Sequence, residues 1–293
     1  PDFMAMKKSE LYSSLWFGCD ELRGGSRYDP KSYMLFHHKD QFEMKRIFTV
    51  AAIIFVLSAM QASFTKAEPP WRALPLATDG KVDAAWKQIG GGRFVVDDGT
   101  LRGESDETGM GMLLYSKEAF GNCQIRVVFR GKETRSNAGV FIRIEDGVLK
   151  IAENKEVRKK QSREEEKDES EKELGPWYPV HRGFEVQISE IGDEQHRTGS
   201  IYSLAKAAPL PPLATDGWRT MVITLKGNLI EVDVDGKHVC SFDSETTSFP
   251  DRKQYWEPKR ENKRPHVGYI GLQNHGPNDV VWFKEVSVRP LSE

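Results

Sequence analysis

Short runs of alternating apolar and polar residues, punctuated by two-residue turns, constrain this chain more than any other feature. Cys123, Ile125, Val127 and Phe129 alternate with Gln124, Arg126 and Arg130. A period of two puts one set on a core face and the other toward solvent. Met221, Ile223 and Leu225 repeat the pattern, and Ile230, Val232 and Val234 follow a Gly227-Asn228 turn. Asp235-Gly236 then supplies the positive backbone angles of a tight hairpin, with His238, Cys240 and Phe242 returning beyond it. Asp98-Gly99 does the same between Phe94–Val96 and Leu101. Further strands are expected at 112–115, 140–144, 184–188, 270–273 and 281–288, and a bulge where the apolar face slips from Val281/Phe283 to Val286/Val288. Roughly eleven strands without a convincing helix predict an all-β fold of two antiparallel sheets. About 215 residues exceed an immunoglobulin unit and suit a jelly roll, whose concave face can hold a sugar chain.

The remaining segments read differently. Met44-Lys45-Arg46, an apolar run from Ile47 to Met60 and small residues at Thr65 and Ala67 make residues 44–67 a secretory signal peptide. Fourteen helical residues span only ~21 Å, short of the ~30 Å hydrocarbon core. Residues 1–43 precede the expected initiator Met44, so His37, His38 and Cys19 are set aside. Residues 68–77 read as a linker and 78–291 as the folded domain, periplasmic or secreted, meeting a membrane only through the signal peptide. A net charge of -2 leaves no basic surplus for nucleic acid. Glu153–Glu173 carries nine acidic and seven basic side chains and reads as a solvated loop or frayed helix between strands.

Three clusters carry chemistry. In Gly183–Glu190, Glu185 and Gln187 share one strand face while Val186 and Ile188 face the core. Glu185-x-Gln187-x-x-Glu190 copies the spacing of a retaining-glycosidase strand, E-x-D-x-x-E, without its central Asp. In Gly271–Gly276, Gln273 precedes His275, whose imidazole can act as base, acid or metal ligand at a strand-end rim. In Asn137–Arg143, Arg143 ends a strand and can clamp a carbonyl or carboxylate or form a surface ion pair. Tyr202 and the 177–182 segment offer rings for stacking on a pyranose. Cys123 and Cys240 lie on apolar strand faces, as buried thiols or a single disulfide.

In order, NAGVFIR at 137–143, GFEVQISE at 183–190, GSIY at 199–202, Trp218, DGK at 235–237 and GLQNHG at 271–276 resemble the 3-keto-disaccharide hydrolase domain family. That family is also described as 3-keto-glucoside 1,2-lyase/3-keto-2-hydroxy-glucal hydratase. The resemblance runs over about residues 78–291 and implies a concanavalin A-like jelly roll acting on a carbohydrate. It implies removal of the C2 proton of a 3-keto-glycoside, expulsion of the C1 oxygen and later hydration. On that reading Glu185 and His275 serve as base and acid. Arg143, or a divalent metal held partly by Glu185 and His275, steadies the enediolate. Asn137, Gln187, Glu190, Tyr202 and Gln273 contact substrate. No other cofactor is implied. Ala138, Glu190 and the charged insert depart from the family pattern. A glycan-binding module without catalysis, and a retaining glycosidase using Glu185 and Glu190, are the alternative readings.

Overall fold

The structure, a computed structural model, describes residues 68–153 and 160–291. The expected signal peptide and the segment before it lie outside the described residues. Its elements begin with β1 (Arg72–Ala73), β2 (Ala77–Thr78), β3 (Lys81–Val82), β4 (Trp86–Gly90), β5 (Arg93–Asp97) and β6 (Thr100–Glu104). Next come β7 (Gly111–Phe120), β8 (Cys123–Gly131), β9 (Asn137–Ile144), α1 (Val148–Glu153), α2 (Arg163–Glu171) and α3 (Trp177–Arg182). The chain continues through β10 (Phe184–Ser189), β11 (Arg219–Lys226), β12 (Leu229–Val234) and β13 (Lys237–Asp243), and ends with β14 (Gly268–Asn274) and β15 (Val281–Pro290).

Two antiparallel sheets stack as a concanavalin A-like jelly roll. The larger runs β13-β12-β11-β8-β15-β6-β5 with β1 beside β15, and the smaller runs β10-β9-β14-β7-β4. The expected hairpins form where turn chemistry dictates them. Asp98 and Gly99 take φ of 46° and 73°, Asp235 and Gly236 take 51° and 76°, and each pair joins directly paired strands. The expected bulge occurs as a register shift between Phe283 and Glu285. A second register shift, at Val232/Asp233, was not anticipated. It turns His238 outward to Asp233 while Cys240 and Phe242 stay buried.

Between the sheets Ile125, Val127 and Phe129 meet Val140, Ile142, Val186 and Ile188, all buried in one core. Each such side chain contributes about 1.5–3 kcal/mol on full burial. The smaller sheet is covered on its other face as well. Met112, Leu114, Phe141 and Ile144 pack there with Val148, Trp177 and Val180 from the helical segment. Every residue of β10 is consequently buried.

Two expectations are corrected. Residues 68–77 are no linker: β1 pairs with β15, and Leu74 and Leu76 enter the core. Three short helices form among the described residues: α1 and α3 stand where strands or loops were expected, and α2 lies in the charged insert, read as a solvated loop or frayed helix. The charged insert forms α2 because Ser162 and Glu165 cap each other's backbone, Ser162 Oγ accepting from Glu165 N and the Glu165 carboxylate accepting from Ser162 N. Cys123 and Cys240 are buried free thiols.

At one end of the sandwich Arg219, 3% exposed, bonds Glu190 through Nε and Nη2, both at 2.7 Å, and Asp235 through Nη1 at 2.6 Å. Glu190→Ala leaves this buried guanidinium half-partnered. We expect urea unfolding to show a loss of about 2 kcal/mol, below the ~3–5 kcal/mol of a fully buried broken pair because the carboxylates are partly solvated.

Candidate functional site

The concave side of the smaller sheet carries the polar residues that period two exposes. Glu185 lies opposite Phe141 and Gln187 opposite Gly139 across β9 and β10, so both carboxyl and amide project from the face opposite the inter-sheet core. Gly139 has a steric reason to be glycine: a methyl there would overlap Glu185 Oε1. The carboxyl lies closed over that glycine and is only 6% exposed. Matched to its neighbours, the Gln187 amide donates to Glu185 Oε1 and to the Ala138 carbonyl, each at 3.2 Å, while its oxygen faces the Asn137 side chain at 3.1 Å. Gln273 arrives from β14 and lies buried, with its amide also directed at Glu185.

His275 stands half-exposed at the end of β14. Its Nδ1 lies 2.8 Å from Asp279 Oδ2, and Asp279 Oδ1 accepts the Asn137 N–H at 3.0 Å. One carboxylate therefore fixes the imidazole and the start of β9 together. Asp279 was missed in the sequence; its four-residue distance from His275 across a Gly-Pro-Asn turn was the available signal. Tyr202 hydrogen-bonds its backbone N–H to the Glu185 carbonyl at 2.9 Å and brings its ring to the same place.

These residues line one cavity of about 390 Å³, comprising Asn137, Glu185, Gln187, Tyr202, Gln273 and His275 with Met110, Arg163, Glu166, Trp177, Val180, Tyr255 and Trp256. Six of the eight predicted site residues thus converge. Two do not. Arg143 adopts a left-handed φ of 50°, which rotates its side chain out of the alternation; it is 1% exposed and donates to the Gly227 carbonyl in the larger sheet's β11–β12 turn. It cannot steady an oxyanion beside Glu185. Glu190 lines a different hollow and is held by Arg219. The glycosidase reading, which needs two carboxyl groups about 5–10 Å apart around one bond, fails because Glu185 lines this cavity while Glu190, beyond the end of β10, lines the other hollow with both its oxygens on Arg219.

Electrostatics follow from burial. Desolvation pushes the Glu185 carboxyl up to about 8, against the Gln273 amide, which favours the charged form. Burial first and the Glu185 charge second raise the Tyr202 phenol. Among the described residues no three His, Cys, Asp or Glu side chains gather as a cation site. Glu185 and His275 therefore form no such group with a third side chain, and the donor set does not fit a resident divalent metal.

The model of the 3-keto-alpha-glucoside-1,2-lyase-like domain matches residues 71–289, so the chain belongs to that family. No curated protein matches it. Among solved structures it is similar to a "Putative glycosyl hydrolase" from Parabacteroides distasonis ATCC 8503. That likeness has 20% identity and a TM-score of 0.50, covering 76% of this chain and 100% of the other. A Bacillus subtilis protein of galectin-like fold is similar at 13% identity and TM-score 0.49, covering 76% of this chain and all of its own. A B. subtilis carbohydrate-binding module, CBM66, is similar at 11% identity and TM-score 0.43, with 73% and 99% covered. The family ties the chain to carbohydrate chemistry, and the first of these likenesses agrees with the sandwich described above.

Two measurements check the site. The folded Glu185 holds a proton that the unfolded chain releases near its ordinary 4.5, so the associated stability is full below pH 4.5 and is lost as pH rises through about 8. Glu185→Gln should match the parent in stability near pH 4.5 and exceed it by a few kcal/mol at pH 8.5, each tenfold change in proton affinity being worth about 1.4 kcal/mol. A difference independent of pH would contradict this. Gly139→Ala should fold, yet displace the carboxyl and cost at least tenfold in any activity that Glu185 carries.

Proposed function

We propose that this member of the 3-keto-α-glucoside lyase-like family cleaves 3-keto-glycosides by elimination across C2 and C1. The ionised Glu185 takes the C2 proton, made acidic by the neighbouring ketone. The electron pair of that C–H bond delocalises onto the C3 oxygen as an enediolate. A C1–C2 double bond then forms as the C1–oxygen bond breaks, and the departing oxygen receives a proton from His275. Hydration reverses the sense of the first step: water adds its oxygen to C1 and a proton returns to C2.

The observation that carries this reading is a buried carboxyl with proton affinity raised to about 8, sharing a cavity with a carboxylate-oriented imidazole. A base near 8 is far better matched to a carbon acid than an ordinary carboxylate near 4.5. Gln187, Gln273 and Asn137 offer amide donors to the enediolate, taking the part that the family resemblance implied for Arg143. Asp279 holds Nδ1 of His275 and leaves Nε2 to serve the leaving group. Export through the signal peptide at 44–67 belongs to the same proposal and places the substrate outside the cytoplasm.

Turnover of a 3-keto-glucoside by the purified chain tests the reading. We expect kcat/KM to follow a bell-shaped pH profile, because turnover needs Glu185 ionised and His275 protonated together, with one limb turning near 8 as the carboxyl titrates. Glu185→Gln and His275→Ala should each lose at least a hundredfold. Saturable glycan binding with no turnover of any keto-sugar would replace this reading with that of a binding module.

A further inference from the structure

A second hollow belongs to the larger sheet, whereas Glu185 stands on the smaller one. Its volume is about 430 Å³, and it opens at the end of β8 between the 131–134 turn and the 213–217 loop. Arg130 gives it its chemistry. Ile125, Val127 and Phe129 of β8 enter the core, so period two turns Arg130 to the outer face of the larger sheet.

In that sheet β8 lies between β11 and β15, and each neighbour brings a tryptophan beside Arg130. Trp282 is its direct cross-strand partner on β15, and Trp218 immediately precedes β11 on the other side. The guanidinium carbon stands over both rings, 4.8 Å from the Trp218 centroid and 5.3 Å from that of Trp282. Gly217, at φ 73°, carries the backbone against the stem of the same side chain; a methyl there would come within 3.2 Å of Arg130 Cδ. The clamp is itself fixed. Trp282 Nε1 donates to Asp97 Oδ2 at 2.9 Å, and Asp216 Oδ1 accepts the Trp218 N–H at 3.1 Å.

Indoles on both sides cover the two faces of the guanidinium, so its N–H groups project in the plane, away from both rings. Among the described residues no carboxylate pairs with Arg130, nor with Lys132 at the rim, nor with Lys284, whose Nζ lies 5.6 Å from the Trp218 centroid. The neighbouring carboxylates are committed elsewhere. Glu190 and Asp235 hold Arg219, Glu133 pairs with Arg135 at 2.8 Å, and Asp216 closes its own turn. The hollow therefore keeps positive charge that nothing in the described fold neutralises.

A fork already held in one geometry loses little side-chain freedom when it binds. Its paired edge donors match the two oxygens of a carboxylate or a phosphate, while a neutral hydroxyl uses one donor and leaves the charge unmatched. We infer that Arg130, clamped between Trp218 and Trp282, anchors an oxyanion-binding site for a ligand bearing a carboxylate or phosphate, with Lys132 as its second contact. This site is separate from the Glu185 cavity and does not depend on the elimination reading.

Calorimetry of the full chain at low salt, with glucuronate, glucose 6-phosphate and glucose, tests the assignment; low salt is needed because exposed charges are screened. At least one of the two acids should bind about tenfold more tightly than glucose. The tighter acid identifies the group as carboxylate or phosphate. Arg130→Gln should remove that preference, and Arg130→Lys, which keeps the charge without the fork, should not restore it. Equal affinity for glucose and both acids, or a preference that survives either substitution, overturns the assignment. Lys132 is exposed, so Lys132→Ala provides a second reading should Arg130→Gln fail to fold. In that case acid affinity unchanged by Lys132→Ala overturns the assignment, and a severalfold loss supports it.

Discussion

The site depends on a carboxyl packed against a position that can have no side chain. Pairing of β9 with β10 sets Gln187 opposite Gly139 and leaves the Glu185 side chain to fold over the gap. Removing that group from water makes its charge costly, and the amides of Gln187 and Gln273 recover only part of the lost hydration. The result is a proton held more tightly than an ordinary glutamate holds one. The rest of the architecture serves this arrangement: two hydrophobic clusters clamp the small sheet from both sides, so the strands that position Glu185 have little freedom to slip.

Local chemistry made much of this readable in the sequence. Asp-Gly pairs at 98–99 and 235–236 need no long-range information to turn the chain, and period two alone puts Glu185 and Gln187 on one face. What failed was decided by single residues whose backbone or partner is set at a distance. Arg143 obeys period two on paper, yet a left-handed φ at a residue that is neither glycine nor asparagine turns it into the sandwich. Glu190 has the spacing of a catalytic carboxylate, but Arg219, 29 positions later, takes both its oxygens. His238 shows the same limit, since an extra residue at Val239 cannot be seen in an alternation that otherwise looks regular.

The charged insert shows how composition and structure can part company. Its acidic and basic residues do face solvent for the most part, as a solvated segment should. Ser162-x-x-Glu165 nevertheless announces a helix start, and Ser170, fully buried on the inner face, donates to the Tyr255 carbonyl. A capping box and a single buried serine are thus enough to bring a segment with almost no apolar surface against the cavity. Hydrogen bonds and an ion pair tie it to His181 and to the 252–259 segment.

Direct titration of the Glu185 carboxyl is the measurement closest to the centre of this account. Carbon-13 NMR of side-chain-labelled glutamate, with Glu185 assigned by its disappearance in Glu185→Gln, follows that one group through its ionisation. A midpoint near 8 in the free protein is expected. A midpoint near 4.5, the value of a carboxylate in water, would mean that the group is solvated and ionised, and that the site lacks the base on which the chemistry rests.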